Sequence, residues 1–238
     1  MGQGTYTCER TLRVVNTDFT DYFLDMETMP EFWETAFQQK QEMWGWIPAD
    51  SAITTSELFK QHKLKNILIP GFGYGRNAGV FLGNGCTITG IEISETALEI
   101  AKKHFIESIT VHHGSVGLMP FDGEVYDGIF SYSLLHLLNS SERTKLIDDC
   151  YTQLRSGGYM VFVSIAPEDF RYGQGKEVSK NTFEMPYGVT LFFYDSDSIE
   201  RDFGKYGLID STIISEPTQD TNDVPKQRFW YIVCRKEK

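Results

Sequence analysis

The sequence predicts an α/β fold: a mainly parallel, seven-stranded sheet flanked by helices, with a helical segment ahead of it. From residue 65 onward, short apolar runs alternate with helical patterns, which is typical of βαβ units and a parallel sheet. The last two strands, near residues 208–215 and 228–234, have no helix between them, so we expect the last strand to run antiparallel. A chain of 238 residues, 41% of them hydrophobic, can bury one core of this kind.

The first 62 residues predict a helical cap that precedes the sheet. Pro30 suits the first turn of a helix, where the missing backbone N–H has no intrahelical partner to lose. Aromatic side chains then follow at i, i+4 and i+11, roughly on one helical face: Trp33, Phe37 and Trp44. Ile47–Pro48 breaks this pattern, and a further short helix is expected before the sheet begins.

Five of the predicted strands alternate with helices between residues 63 and 165. The apolar runs that predict them are Asn66–Ile69, Thr87–Ile91, Ile109–Val111, Tyr126–Tyr132 and Tyr159–Ile165. Ser94 can cap the helix after the second run, and Asn139 with Glu142 has capping-box spacing ahead of the helix before the fifth. Gly157–Gly158 is expected to stop that last helix.

Composition and charge disfavour several classes of partner. The formal net charge of −11 would repel a phosphate backbone, so we expect no nucleic-acid partner and no anionic membrane surface. No apolar run approaches the roughly 18 residues that cross a bilayer, and the N-terminus lacks an apolar signal region, so we expect a cytoplasmic protein. Neither the histidines nor the cysteines have metal-ligand spacing, so we expect no metal site and reduced thiols at Cys8, Cys86, Cys150 and Cys234.

The sharpest motif is a glycine-rich segment, Ile69–Asn77, in which Gly71, Gly73 and Gly75 stand between a predicted strand and a predicted helix. Glycine has no Cβ, so this backbone can turn tightly and lie against a ligand. Glu92 stands twenty-one residues after Gly71, at the end of the next strand, where its carboxylate can accept both ribose hydroxyls of an adenosine. The spacing therefore predicts an adenosine-bearing ligand at the carboxyl edge of the sheet.

The identity of that ligand is narrowed by one residue and by a family resemblance. A dinucleotide loop would need glycine where Arg76 stands, which disfavours an NAD-dependent oxidoreductase and leaves it as a lesser alternative. The strand, the G-x-G-x-G loop and the acid resemble class I S-adenosylmethionine-dependent methyltransferases over about residues 65–165. Further segments similar to that family are His113–Val116, Tyr126–Ser131 and Leu154–Tyr159. The resemblance implies a Rossmann-like fold with S-adenosylmethionine as cofactor.

A second, shorter resemblance lies in the cap. Phe32-Trp33-Glu34, Phe37, and Trp44 to Pro48 resemble the opening of thiopurine methyltransferase-like and tellurite-resistance-type enzymes, which act on small molecules. In those enzymes such a segment closes over the cofactor. The glycine loop departs from the thiopurine pattern, which is poorer in glycine.

The resemblance implies a set of cofactor contacts. The loop glycines would let the backbone approach the cofactor, Glu92 would hold the ribose, and the aromatic face of Trp44 suits a sulfonium charge. Adenine would lie between three residues after the second and third strands, and the methionine part near the tip of the fourth. The full cofactor-binding set is Gly71, Gly73, Gly75, Glu92, Ile93, Ser115, Val116, Ser131, Tyr132 and Trp44.

No catalytic residue is assigned from the sequence. Tyr132 and His136 are weak candidates because they follow the strand near which the family places its methyl group, although His136 also suits simple packing. Methyl transfer is an in-line displacement, and a general base is needed only if the acceptor must lose a proton. The predicted function is methyl transfer to a small-molecule acceptor; a non-catalytic S-adenosylmethionine-binding module is the alternative. The acceptor and the oligomeric state stay open.

The domain organisation follows from these assignments. We interpret residues 1–238 as one methyltransferase domain in four consecutive parts. These are a cap at 1–62, a cofactor-binding core at 63–165, an aromatic segment at 166–194 that is a candidate substrate lid, and a helix with two strands at 195–238.

Overall fold

The computed structural model describes residues 13–16, 28–105, 109–218 and 225–237. Its strands are β1 (Arg13–Asn16), β2 (Asn66–Pro70), β3 (Thr87–Glu92), β4 (Ile109–His113), β5 (Tyr126–Tyr132), β6 (Leu154–Ile165), β7 (Lys176–Ser179), β8 (Thr182–Glu184), β9 (Thr190–Phe192), β10 (Leu208–Glu216) and β11 (Gln227–Arg235). Its α-helices are α1 (Thr28–Lys40), α2 (Asp50–Gln61), α3 (Ala78–Gly83), α4 (Glu95–His104), α5 (Ser140–Gln153) and α6 (Ser196–Phe203).

The central sheet has the predicted fold class. Its strand order is β1-β4-β3-β2-β5-β6-β11-β10, and β11 runs antiparallel to both of its neighbours while the other pairs are parallel. All seven predicted strands are present, and β1 adds a short eighth strand beside β4. This strand falls within the stretch predicted as a helical cap. Its β-branched pair Val14–Val15 favours an extended conformation once the edge of β4 is available for pairing.

The predicted helix starts are confirmed, but two helix ends lie elsewhere. The Ser94 hydroxyl accepts the Ala97 N–H at 3.1 Å, and Asn139 and Glu142 form the reciprocal capping box. However, α5 ends at Gln153 and the pair Gly157–Gly158 lies inside β6, because Leu154 is already extended and paired with Tyr126.

The first cap helix also ends earlier than its aromatic periodicity predicts. Gln41 adopts a φ of 49° directly after α1, so Trp44 lies beyond the helix rather than on its face. The three aromatic residues still meet, because the turn brings Trp44 back to within 6.3 Å of Trp33 and 5.9 Å of Phe37 between ring centroids. Trp33, Phe37 and Trp44 therefore form the predicted aromatic cluster, but Trp44 reaches it through a turn and not through helical spacing.

The sheet is buried on both faces, as a parallel sheet requires. One face packs against α2 and α3 through Phe59, Phe81 and Phe130, and the other packs against α5 and α6 through Leu146 and Phe162. The segment 166–194 is not an extended loop. Its strands β7, β8 and β9 form a small antiparallel sheet whose buried side chains join the first of these cores: Phe183, Leu191 and Phe193.

Membrane helices, metal clusters and free thiols can be examined in the residues that the structure describes. Within residues 28–105, 109–218 and 225–237, no helix is long and apolar enough to cross a membrane, and no cluster of acidic, histidine and cysteine side chains could hold a metal ion. Cys86, Cys150 and Cys234 are buried free thiols, whereas Cys8 lies outside the described residues.

Candidate active site

The glycine loop between β2 and α3 places its three glycines in different surroundings. All three have positive φ, which favours glycine. A Cβ at Gly71 would come within 3.0 Å of Leu134, and one at Gly75 within 2.5 Å of Phe105, so the packing of the chain alone requires these two glycines. A Cβ at Gly73 would meet nothing within 4 Å. Gly73 therefore borders open space, and its backbone is the part of the loop that a ligand can approach.

Glu92, at the end of β3, lies directly beside that open backbone. Its Oε2 accepts the Gly73 N–H at 2.7 Å, and its Oε1 accepts the N–H groups of Ile93 and Ser94, each at 2.9 Å. The residue is only 7% exposed, and this burial raises the pKa of its carboxyl, an effect that the three N–H groups oppose. Among the described residues, one lone pair of Oε2 is left for a further donor.

The residues expected beside adenine lie next to this acid. Gly114 N donates to the Glu92 carbonyl at 2.9 Å, which joins the turn after β4 to the end of β3. In that turn the Ser115 hydroxyl accepts the Gly117 N–H, and Val116 is 8% exposed within the core. Ile93 is half-buried. The turn that carries Ser115 and Val116 thus adjoins the end of β3, where Ile93 follows Glu92, and the Ser115 hydroxyl caps the next 3-10 helix.

The tip of β5 forms the opposite side of the site. Ser131 is buried under the glycine loop, where its hydroxyl donates to the Pro70 carbonyl at 3.5 Å. The Tyr132 hydroxyl donates to Oε2 of Glu216 at 2.8 Å, and the Arg76 guanidinium lies 5.5 Å from the centre of the Tyr132 ring. Burial and the neighbouring Glu216 charge raise the pKa of Tyr132, so its hydroxyl stays protonated.

Two of these residues, Glu216 and Arg76, do not follow from the sequence motifs as functional residues. Glu216 ends β10 and is 5% exposed; its other oxygen accepts the Ser51 N–H at 2.5 Å, at the start of α2. Because Ala49 supplies no side-chain cap to α2, Glu216 fulfils that role across the sheet. Arg76 had a local signal, since it directly follows the loop, whereas nothing around Glu216 in the sequence indicates its place.

The cap contacts the glycine loop through Tyr74, which stands between two of the loop glycines. The Tyr74 hydroxyl donates to the Gly45 carbonyl at 2.7 Å and accepts the Trp44 N–H at 3.1 Å. The Trp44 ring stacks on the Tyr74 ring with an interplanar angle of 17°, and Trp44 remains 49% exposed. Trp44 therefore lies over the loop residue Tyr74, with half of its surface free.

His136 lies in a 3-10 helix (Leu135–Leu137) just after β5 and is 4% exposed. Its Nδ1 lies 3.4 Å from both the Ile165 N–H and the Ser164 hydroxyl. Burial, assisted by the charge of Arg171, lowers the pKa of His136 to about 3. A ring this buried and this weakly basic fits a packing role better than a general base.

The geometry fits the cofactor that the family resemblance implies. No atom lies within 4 Å of a Cβ built at Gly73, so a ligand can approach this backbone, and the remaining lone pair of Glu92 Oε2 could accept one ribose hydroxyl. A second ribose bond would have to share or replace an existing N–H partner of Glu92. The Gly73 backbone and the Glu92 carboxylate are thus available to a cofactor. The Tyr132 hydroxyl, the Glu216 carboxylate and the Arg76 guanidinium lie together at the tip of β5.

The comparisons with known proteins agree with this geometry. Residues 68–162 match the family described as "Methyltransferase domain". The tRNA N(3)-methylcytidine methyltransferase Mettl2 of Drosophila melanogaster is 22% identical, over an alignment covering 57% of this chain and 45% of that relative. The matched part thus spans less than half of the relative's length.

Several solved structures share the fold. The 1,6-didemethyltoxoflavin-N1-methyltransferase of Burkholderia thailandensis, bound to 1,6-didemethyltoxoflavin and S-adenosylhomocysteine, superimposes with a TM-score of 0.68 at 15% identity, over 92% of this chain and 94% of that one. TehB of Haemophilus influenzae gives a TM-score of 0.60 at 16% identity, over 86% and 67%. The shared fold confirms the predicted fold class, and the match over residues 68–162 agrees with the predicted methyltransferase class.

Proposed function

We propose that the chain transfers the methyl group of S-adenosylmethionine to a small-molecule acceptor. The observation that carries this proposal is the open backbone of Gly73 beside the buried carboxylate of Glu92, with Tyr132 and Glu216 paired at the same edge of the sheet. The first pair suits a cofactor and the second suits an acceptor. Their juxtaposition is what a displacement between two bound molecules requires.

The cofactor-side residues act by alignment. When bound, S-adenosylmethionine supplies a methyl group already activated by its sulfonium charge. Glu92 would hold the ribose, the Gly73 backbone would lie against the ligand, and Ile93, Ser115 and Val116 would border the adenine. Ser131 supports the loop from below through Pro70. Trp44 closes the edge from the cap side.

The acceptor-side residues handle a proton. The Tyr132 hydroxyl donates to Glu216 and also interacts with Arg76, so one lone pair stays available to an N–H or O–H of the acceptor. As the methyl group bonds to the acceptor, its bond to the sulfonium sulfur breaks and neutral S-adenosylhomocysteine leaves. The proton released by the acceptor can pass to the Tyr132 oxygen while the tyrosine proton passes to Glu216. Tyr132 thereby remains neutral, in keeping with its raised pKa.

A small acceptor is favoured over a nucleic acid by the charge of the chain. The net charge of −11 opposes a phosphate backbone, whereas the toxoflavin enzyme that shares the fold is named for a small molecule. The tRNA-modifying relative makes RNA the opposing outcome of the test. We also propose that the chain is of the tellurite-resistance type, supported by the TehB fold match and the cap motif Phe32-Trp33-Glu34.

The residues 166–194 complete the proposed acceptor pocket as a lid together with the cap. This segment leaves the sheet at the end of β6, at the same edge as Tyr132, and its Asp169–Arg171 ion pair at 2.6 Å fixes its base. Because its small sheet packs on the core, we expect this segment to form a fixed side of the pocket, not a part that opens and closes.

The experiment has a binding arm and a turnover arm. Calorimetric titration with S-adenosylmethionine, S-adenosylhomocysteine and NAD should show binding of the first two and little heat from NAD. Methyl transfer is then assayed across small amines, carboxylates, phenols, thiols and halides, beside tRNA and protein substrates. Turnover of tRNA with no small acceptor would overturn the proposed acceptor class, and tight NAD binding alone would overturn the cofactor assignment.

A further inference from the structure

Glu34, near the middle of α1, bonds to the start of α4. Its Oε2 accepts the Ser94 hydroxyl at 2.6 Å and the Thr96 N–H at 3.2 Å, and its Oε1 accepts the Thr96 hydroxyl. Burial opposes ionisation of Glu34, but these hydrogen bonds outweigh it and lower its pKa, so the side chain is a carboxylate at neutral pH. A charged acceptor at these donors makes the contact stronger than a neutral one.

Ser94 is the residue through which Glu34 reaches the site. Its N–H donates to Glu92 Oε1 at 2.9 Å, while its hydroxyl donates to Glu34 and accepts the Ala97 N–H. One buried serine therefore connects two carboxylates, one on the cap helix and one at the open backbone of Gly73. No other described residue hydrogen-bonds to both Glu34 and Glu92.

The cap has a second attachment beside the site. As described above, Tyr74 in the glycine loop bonds to Gly45 and Trp44, which follow α1. Phe37 on α1 also packs edge-on against Tyr74, with 6.1 Å between ring centroids. These hydrogen bonds hold the cap segment from α1 to Trp44 at Ser94 and at Tyr74, which lie two residues from Glu92 and one residue from Gly73.

We propose that Glu34 is a positioning residue for the cofactor: by holding Ser94, the docked α1 fixes Glu92, so that cap docking and cofactor binding stabilise each other. This inference rests on the proposed function, because it assumes that Glu92 holds the cofactor ribose. Coupling of this kind is reciprocal, so whatever α1 docking contributes to the cofactor, the cofactor returns to α1. That reciprocity supplies a readout independent of turnover.

The test compares Glu34→Gln with Glu31→Gln. Glutamine keeps the size of Glu34 but removes its charge. Its single oxygen can accept either from the Ser94 hydroxyl and the Thr96 N–H or from the Thr96 hydroxyl, but not from all three. Glu31 is exposed on the same helix, so its variant makes the same charge change without that contact. We expect Glu34→Gln to bind S-adenosylhomocysteine about tenfold more weakly by calorimetry, and Glu31→Gln to match the wild type.

Hydrogen exchange of α1 amides, with and without S-adenosylhomocysteine, distinguishes coupling from mere packing. In the wild type the ligand should slow this exchange, and in Glu34→Gln the ligand-dependent part should disappear. A purely structural role would speed exchange equally with and without ligand. Thr96→Val, which removes one hydroxyl partner of Glu34, should show a smaller loss of the same kind and serves if Glu34→Gln does not fold.

The outcomes separate the inference from the function on which it rests. If the wild type does not bind S-adenosylhomocysteine, both are overturned. If Glu92→Gln weakens binding while Glu34→Gln binds normally and keeps the ligand-dependent protection of α1, only the coupling is overturned. Weakened binding together with lost protection supports the coupling.

Discussion

The cofactor side of the site, around Gly73 and Glu92, and the acceptor side, around Tyr132 and Glu216, use different chemical groups. At the centre of the cofactor side, the Glu92 carboxylate and the backbone N–H groups that it accepts all lie between Gly73 and Ser94. The acceptor side consists of the Tyr132–Glu216 pair, joined to the N–H of Ser51, which stands 165 residues before Glu216 in the chain. A ligand common to a whole fold can be held by local backbone, whereas an acceptor specific to one enzyme needs side chains gathered from several elements.

This comparison predicts that damage to the two sides has different kinetic signatures. Variants on the cofactor side should weaken S-adenosylhomocysteine binding, and variants on the acceptor side should slow turnover at unchanged cofactor affinity. An acceptor-side variant that weakens S-adenosylhomocysteine binding, or a cofactor-side variant that slows turnover at unchanged affinity, would show that the two sides are not separate.

The largest effect is expected at Gly73. Gly73→Val places a branched side chain in the space that the ligand needs, and we expect a loss of binding of about 100-fold or more. The backbone strain of valine at positive φ must be subtracted. Gly188→Val is the matched control, because Gly188 also has positive φ and no neighbour within 4 Å of its Cβ. Calorimetry with S-adenosylhomocysteine measures both, and equal losses in the two variants would contradict a ligand at Gly73.

On the acceptor side, Tyr132→Phe removes the hydroxyl that donates to Glu216 and keeps the ring. We expect kcat with an N–H or O–H acceptor to fall about 100-fold, as for the loss of a proton-transfer group, at unchanged S-adenosylhomocysteine affinity. Tyr231→Phe is the control, because it also removes the hydroxyl of a buried tyrosine. The Tyr231 hydroxyl lies 3.0 Å from Thr55 on α2, the helix that also carries Ser51. A normal rate in Tyr132→Phe would leave Tyr132 as a wall of the pocket.

A smaller effect is expected from Glu92→Gln. One amide oxygen can still accept backbone N–H groups, but the charge is lost, so binding of S-adenosylhomocysteine should weaken about tenfold. Glutamine is preferable to alanine, which would leave three backbone N–H groups without their acceptor and threaten the fold. Unchanged affinity would place the ribose elsewhere.

The sequence predicts the cofactor side of the site better than the acceptor side. The positions of the loop glycines, Glu92 and the Ser94 cap could be predicted, because each lies within a few residues of a strand end. Glu216 could not, since its role as an acceptor for Ser51 and Tyr132 depends on where β10 lies in the sheet. Trp44 shows an intermediate case: its contacts with Trp33 and Phe37 are real, but they arise from a turn rather than from helical spacing.

The raised pKa of Glu92 predicts a pH dependence on the cofactor side. Burial favours the protonated carboxyl, so with respect to this group the free protein is most stable at low pH and loses that stability as pH rises through the raised pKa, above 4.5. The ionised form is the better acceptor for a ribose hydroxyl. Affinity for S-adenosylhomocysteine should therefore increase as pH rises above 4.5 and then level off. Calorimetry over a pH series should show this rise in the wild type and not in Glu92→Gln, which has no carboxyl to titrate.

The smallest effect is expected at His136, on the acceptor side, and it concerns stability rather than turnover. Burial lowers the pKa of this imidazole to about 3, so the fold favours its neutral form. The stability it contributes is complete above pH 6.5 and is lost as pH falls from 6.5 toward 3. His136→Gln keeps an acceptor for the Ile165 N–H and removes the titration, so its melting temperature should fall less between pH 7 and pH 5 than that of the wild type, by ~4 °C. His62→Gln, at an exposed position, is the control for the loss of a histidine side chain. Because a base with so low a pKa is a poor proton acceptor, kcat at pH 7.5 should be unchanged in His136→Gln, and a large fall would move the proton-handling role from Tyr132 to His136.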